Sequence, residues 1–448
     1  MRNRTLVPFL VLILGLVAGP AAPGPARAER LAFVDISVLD GTGAPPALHR
    51  TVLVADGRIV AITGLERPPP GYRRIDGRGR TILPGLWDMH VHSLWSSEIP
   101  GAFFPRFVAY GVTAVRDMGG NEAGFVAALA VTAAHPAWSP RVYRAGRILD
   151  GPEPVDPSIS MAVTTPKDAI AAVDQLADQG VDFIKVYTLL PRDAFLAAGR
   201  RAGERGLSVV GHLPATATVD DAISIQMAGI EHMQAEIGGY CPKADRQACE
   251  PVFSRLIAAG VAQSPTLLPR YRRAYAATHP GWGRDPELVR LPPSVVNYWQ
   301  DDLADKLAAS AELAARRMSD HDHEIWMASR LISKRAPLLA GSDTGTPFAW
   351  PGRSLHEELA LLVKAGLRPG DAIAIATGGA ARFMGAGGHS GRIAPGYDAD
   401  LVVVEGDPSR DIADLRRIVA VVRGGVFLDR TTLARMLASG ASTPATKW

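Results

Sequence analysis

Short apolar runs rich in β-branched residues recur along the chain, and the stretches between them place apolar positions at helical spacing. The runs are Thr113–Arg116, Arg141–Tyr143, Phe183–Val186, Leu207–His212, Gly229–His232, Val261–Ser264 and Pro337–Asp343. With Leu83–His92 they make eight candidate strands. Lys167–Gln179, Pro191–Arg205 and Ser354–Gly366 repeat apolar residues on one helical face and predict helices between strands. Eight strand–helix alternations over roughly 300 residues predict an α/β fold, a (β/α)8 TIM barrel.

The two ends read differently. Leu31–Leu39, Thr51–Ala55 and Arg58–Ile62 are short strand patterns, the last two joined by the tight-turn pair Asp56-Gly57. Ala399–Val404, Ile418–Val422 and Arg423–Phe427 have the same character. Neither set suffices for a sandwich alone, so the expectation is one small β-sandwich built from both chain ends. The division expected is 29–82 and 386–430 for the sandwich, 83–385 for the barrel and 431–448 for a tail. The segment from Arg270 to Arg335 exceeds one crossover, and Ser294–Ser333 predicts one or two helices inserted after strand seven, as a lid.

Composition adds little for the body of the chain: 47% hydrophobic and 21% charged residues are ordinary for a globular protein. The first residues differ. Met1-Arg2-Asn3-Arg4 is basic, Leu6–Val17 is apolar, and Ala26-Arg27-Ala28 supplies small residues at a cleavage position. This layout predicts a secretory signal over 1–28 and a secreted or periplasmic mature protein; the alternative, an uncleaved anchor, has a short apolar run for a span. Cleavage removes Arg2, Arg4 and Arg27 and no acid, taking the formal charge from +3 to 0. No basic stripe interleaved with aromatics is present, so neither nucleic acid nor, after cleavage, a membrane is an expected partner. Cys241 and Cys249 are close in sequence, which in an exported chain favours a local disulfide over two free thiols.

Candidate chemistry begins at His90-Val91-His92. On a strand, residues two apart point the same way, so both imidazoles aim at one place. Alone, the pair reads equally as half of a metal site or as histidines satisfied at a strand end. Other strand ends carry Lys185, His212, His232 and Asp343, where barrel active sites lie. That accumulation favours a metal site.

The chain resembles the amidohydrolase superfamily, with its prolidase-like and imidazolonepropionase-like members, and in particular the carboxylated-lysine subtype. The resemblance rests on Leu83-Pro84-Gly85-Leu86-Trp87-Asp88-Met89-His90-Val91-His92, Phe183-Ile184-Lys185-Val186, Gly211-His212, Ile230-Glu231-His232 and Gly341-Ser342-Asp343-Thr344-Gly345. The closing Gly391–Leu401 segment also matches that superfamily's return into its β domain. The resemblance implies two divalent ions, zinc by expectation. His90, His92 and Asp343 would hold one, His212 and His232 the other, and Lys185, N6-carboxylated by CO2, would bridge them. A bare ammonium has no lone pair to offer, whereas a carbamate has two anionic oxygens. Were Lys185 inert, a single-metal site like that of imidazolonepropionase would fit better.

The implied reaction is hydrolysis by a metal-activated hydroxide, with Asp343 as the catalytic proton shuttle. The substrate expected is a small molecule, a dipeptide or N-acyl amino acid. A cyclic amide, lactone or phosphotriester is the alternative on the same site, and a non-catalytic periplasmic metal- or ligand-binding protein is the reading from another class.

Other polar clusters carry plainer expectations. His321-Asp322-His323 lies in a helical segment, where residues two apart do not share a face, and predicts a solvated surface. His356-Glu357-Glu358 reads as a helix start, and Arg116-Asp117 as a structural ion pair. Tyr187 would face the same way as Lys185 and is the one candidate substrate contact.

Overall fold

The computed structural model describes residues 29–64, 66–233 and 241–440. The expected signal segment and residues 441–448 of the expected tail lie outside them. Five strands open the chain: β1 (Leu31–Val38), β2 (Ala47–Ala55), β3 (Arg58–Thr63), β4 (Arg73–Asp76) and β5 (Arg80–Pro84). The parallel strands follow as β6 (Leu86–Val91), β7 (Val112–Asp117), β8 (Arg141–Arg144), β9 (Ile148–Asp150), β10 (Ser160–Ala162), β11 (Phe183–Val186), β12 (Ser208–Gly211), β13 (Gly229–Glu231) and β14 (Ala262–Ser264). The chain closes with β15 (Leu401–Glu405), β16 (Ile418–Arg423) and β17 (Val426–Asp429).

First and last strands share one hydrogen-bonded sheet, in the order β17-β16-β15-β5-β1-β2-β3 with β4 on β1. Its join is β5 against β15, from Leu401↔Pro84 to Glu405↔Arg80. Phe33 and Phe427 lie four strands apart in that order, yet their rings approach to 6.2 Å. The sheet therefore curls over one core, which also holds Val52, Ile82, Leu401 and Val422. Asp56 and Gly57 both take positive φ (52° and 74°), the geometry a two-residue hairpin turn requires.

The middle of the chain is α/β with parallel strands, in ladders β6-β7-β8 and β10-β9-β11-β12-β13-β14. Every residue of β6 and β7 is buried, as expected where a parallel sheet is covered on both faces. The eighth apolar run departs from expectation, because Pro337–Asp343 forms no ladder of its own. It lies between β14 and β6, joined by the parallel bridges Gln263↔Leu338 and Val91↔Thr344. Met89 N donates to Ala340 O (2.9 Å) and Asp343 N to His90 O (2.8 Å). At the other seam, Asp182 N donates to Arg144 O and Ala145 N to Asp117 O.

The inserted segment is two helices, Pro293–Leu307 and Ala311–Ser333, reached through a helix at Leu267–Tyr275 that leaves the end of β14. The expected tail begins with a helix, Arg430–Ala438, capped by Asp429 and packed against the helix Ile99–Ala109.

Candidate metal centre

Each candidate residue stands where β6, β11, β12, β13 or the 337–344 run ends. His90, His232 and Asp343 each offer a ligand atom, all within 4.8 Å of one another. Asp343 Oδ1 lies 3.4 Å from His90 Nε2 and 3.6 Å from His92 Nε2. Ring centroids of His90 and His232 are 4.7 Å apart, and those of His212 and His232 4.9 Å. Lys185 is fully buried on β11, and its charge acts on all four imidazoles. Its path is kept open by Gly211 (φ +134°), where an added Cβ would lie 2.2 Å from Val186 O and 3.0 Å from Lys185 Cδ.

The outer contacts orient the rings. His90 Nδ1 meets Glu231 Oε2 at 2.9 Å, and His92 Nδ1 meets Gly119 O at 3.2 Å. His212 Nδ1 meets Thr188 Oγ1 at 2.7 Å, and His232 Nδ1 meets Thr266 Oγ1. All four histidines thus commit Nδ1 outward, which leaves Nε2 as the available ring nitrogen. Among the described residues, buried His90 Nε2 has no hydrogen-bond partner, although a buried polar atom normally acquires one. This donor set fits divalent metal ions.

Electrostatics agree. Burial, then the charge of Lys185, holds His90 and His212 well below the ordinary histidine range; burial and then His90 do so for His232. Neutral imidazole is the ligating form. Burial raises the Asp343 carboxyl to about 6, and nearby cations would favour its ionised form. His232 and Asp343 both hold left-handed backbone (φ 65° and 54°), as does Thr266 (φ 46°). Such conformations cost about 1–3 kcal/mol each and persist where surrounding structure imposes them. For Asp343 the constraint is Asp88, which accepts from Ser342 N (2.9 Å) and Ser342 Oγ (2.5 Å).

Several plain expectations need correction. Arg116 and Asp117 do not pair with each other. Arg116 donates to Glu231 Oε1 (2.6 Å) and Met89 O, while Asp117 accepts from Ser93 N (2.6 Å) and Ser93 Oγ (2.9 Å). Strand alternation sends the two side chains to opposite sides of the sheet. His321 and His323 are buried rather than solvated, because their helix is covered on two faces. His321 packs on Tyr271 and Tyr275, and His323 lies over Trp326 and beside Cys241. His356 and Glu358 do stand near the start of a helix, Arg353–Lys364, and both are buried in it. His356 meets Tyr110 O at 2.8 Å, and Glu358 accepts from Leu267 N and Leu268 N at the start of the helix after β14.

Tyr187 stacks on His212, with centroids 4.0 Å apart, and lines a cavity of about 450 Å³ together with His212, His232 and Asp343. Cys241 and Cys249 are joined in a disulfide. Glu231, Thr188 and Thr266, which hold three of the rings, carried no sequence signal beyond their nearness to candidate ligands. Nor did the arginines of the cavity wall, Arg270, Arg273 and Arg317.

The model of the Amidohydrolase family matches residues 313–428. The imidazolonepropionase of Anaeromyxobacter dehalogenans is 25% identical over 376 residues, covering 80% of this chain and 84% of that protein. Among solved structures, a bottromycin amidohydrolase is 29% identical, with a TM-score of 0.73 over 93% of this chain and 92% of its own. A structure described as a putative prolidase from Bifidobacterium longum is 21% identical, with a TM-score of 0.70 over 92% and 99% of the two chains. That last likeness is one of fold.

Proposed function

From its membership of the amidohydrolase superfamily, as a hydrolase of carbon–nitrogen bonds, we propose that this chain cleaves an amide or peptide bond of a small substrate, a dipeptide or N-acyl amino acid. The observation that carries the reading is the outward commitment of Nδ1 by all four histidines around one buried point. Residues 83–385 then form the closed (β/α)8 barrel, and 29–82 with 386–430 the β-sandwich. The mature protein is exported after cleavage of 1–28.

His90, His92 and Asp343 would hold one divalent ion and His212 with His232 a second, and carboxylated Lys185 would bridge them. A carbamate suits that position better than an ammonium, because it offers anionic oxygens to a metal where an ammonium has no lone pair, and Lys185 is fully buried. When bound, two divalent ions supply an acidified water and a Lewis acid for the carbonyl.

The chain's own residues do the rest. Asp343 is held at the rim of the cavity by its own strained backbone and by the Asp88–Ser342 contacts. From there its carboxylate takes a proton during attack and returns it to the leaving nitrogen. Glu231 keeps His90 in one tautomer, and Arg116 fixes Glu231 there by donating to its other oxygen. Tyr187, stacked on His212 at the cavity wall, is placed to contact substrate.

A ring-held amide is the second reading, favoured by the imidazolonepropionase relative. Metal analysis tests the site: about two divalent ions per chain are expected, zinc first among them, and a chain that binds none overturns the reading. A hydrolysis screen over dipeptides, N-acyl amino acids, cyclic amides, lactones and phosphotriesters separates the substrate classes.

A further inference from the structure

A second group of metal-ligating side chains meets where the insertion packs on a helix of the α/β body. Cys249 opens the helix Cys249–Ala258, Cys241 lies eight residues before it, and His323 comes from the inserted helix Ala311–Ser333. Met327 and Leu331 of the inserted helix share a core with Phe253 and Leu256 of the other. Cys241, Cys249 and His323 each offer a ligand atom, and the three atoms lie within 4.8 Å of one another. All three residues are buried. The two sulfurs are joined as a disulfide, with His323 Nε2 3.9 Å from Cys241 Sγ.

The disulfide does not account for the histidine. His323 Nε2 donates to Cys241 O at 3.0 Å, so the ring's lone pair is on Nδ1. Among the described residues, buried Nδ1 has no hydrogen-bond partner, although a buried polar atom normally acquires one. The ring lies flat on Trp326, with centroids 5.4 Å apart and planes 9° from parallel. An apolar ring would fill that place without burying an idle nitrogen. What an imidazole adds beside two sulfurs is a ligand, since two thiolates and a neutral imidazole suit a thiophilic ion such as Zn2+.

We propose that Cys241, Cys249 and His323 form a redox-gated site for a thiophilic divalent ion of the zinc class, closed as the disulfide and open to metal once reduced. A dithiol reductant supplies two electrons, which break the S–S bond; its two protons pass to the cysteine sulfurs and it becomes a disulfide itself. The incoming ion displaces both thiol protons. His323 moves its proton to Nδ1, and Nε2 exchanges its hydrogen bond to Cys241 O for the ion. Two sulfurs and one nitrogen fill three positions, and water takes the fourth. The disulfide joins Cys241 only to Cys249; the ion would tie the inserted helix to them as well. None of this depends on the hydrolytic centre, whose candidate ligands are nitrogen and oxygen atoms.

The test loads the full-length protein with Co2+, with and without prior anaerobic reduction by a trialkylphosphine. The phosphine takes the oxygen of one water, the water's two protons go to the sulfurs, and no added thiol competes for metal. Cys241 and Cys249 are the chain's only cysteines, so a near-ultraviolet thiolate-to-cobalt charge-transfer band can arise nowhere else. That band is expected only after reduction, together with about one further Co2+ per chain. Zn2+ should displace the Co2+ and erase it. Cys241→Ser/Cys249→Ser should show neither change. His323→Gln should keep the band but bind Co2+ at least about tenfold more weakly. Near-ultraviolet circular dichroism of the reduced protein should stay native. Absence of the band after reduction, unchanged Co2+ affinity in His323→Gln, or loss of the native dichroism on reduction overturns the site.

Discussion

At the scale of single residues, Lys185 and Glu231 make the sharpest demands. Lys185→Ala is expected to lose most bound metal and to lower kcat/KM on the order of 10³-fold, since several kcal/mol of metal-derived stabilisation would go. Short carboxylic acids should restore part of it by filling the vacated bridge. Metal content and initial rates before and after adding acetate or propionate check this, and full activity without rescue would remove Lys185 from the site. Glu231→Gln keeps a hydrogen bond to His90 but removes the negative charge shared with Arg116. Metal affinity should fall about 10–100-fold, as outer-contact losses commonly do; chelator competition measures it. The candidate ligands were legible because each ends an apolar run, and strand period then dictates where the side chain points. Their supports were not, because Thr188 and Thr266 lie after the strands, in backbone whose path no local period describes. His321 and His323 were misread for a related reason: a helix covered on two faces can bury residues that do not share one.

Elements meet the pH scale at His356, on the helix Arg353–Lys364, whose ring is tied to Tyr110 O at the end of the helix Ile99–Ala109. Burial lowers its pKa to about 4. Above pH 6.5 the ring is neutral folded or unfolded and does not affect the balance. Below that, the unfolded chain takes up a proton that the folded chain refuses, so stability falls as pH drops from 6.5 toward about 4. The loss amounts to roughly 3 kcal/mol. Denaturant melts across that interval should show the slope, and His356→Gln should flatten it; an unchanged slope in the variant assigns it elsewhere. The inserted helices were readable as helices from their period. That the Leu267–Tyr275 helix aims arginines into the cavity was not readable, since its direction is imposed by Glu358 accepting from its first amides, 90 residues away in sequence.

On the scale of the whole molecule, the two-ended sheet was the expectation that asked most of sequence alone. It was readable because both ends carry short strand patterns with too few strands to close separately. What could not be read was that the strands would run as one continuous sheet, with β5 and β15 as its seam. Ending the chain at Asp400 removes β15, β16 and β17 and strips one edge of β5 of its partner. Expression of such a chain should give insoluble protein, because an unpaired apolar edge is a template for association. Soluble recovery against the full-length chain measures this, and comparable yields would show that the seam is dispensable.

The same seam sets a clock on biosynthesis. Pro84 waits for Leu401, so β5 cannot reach its final state until the segment that carries β15 has been made. Pairings that distant form slowly. A growing chain therefore carries β5 without its β15 partner through the synthesis of everything between them.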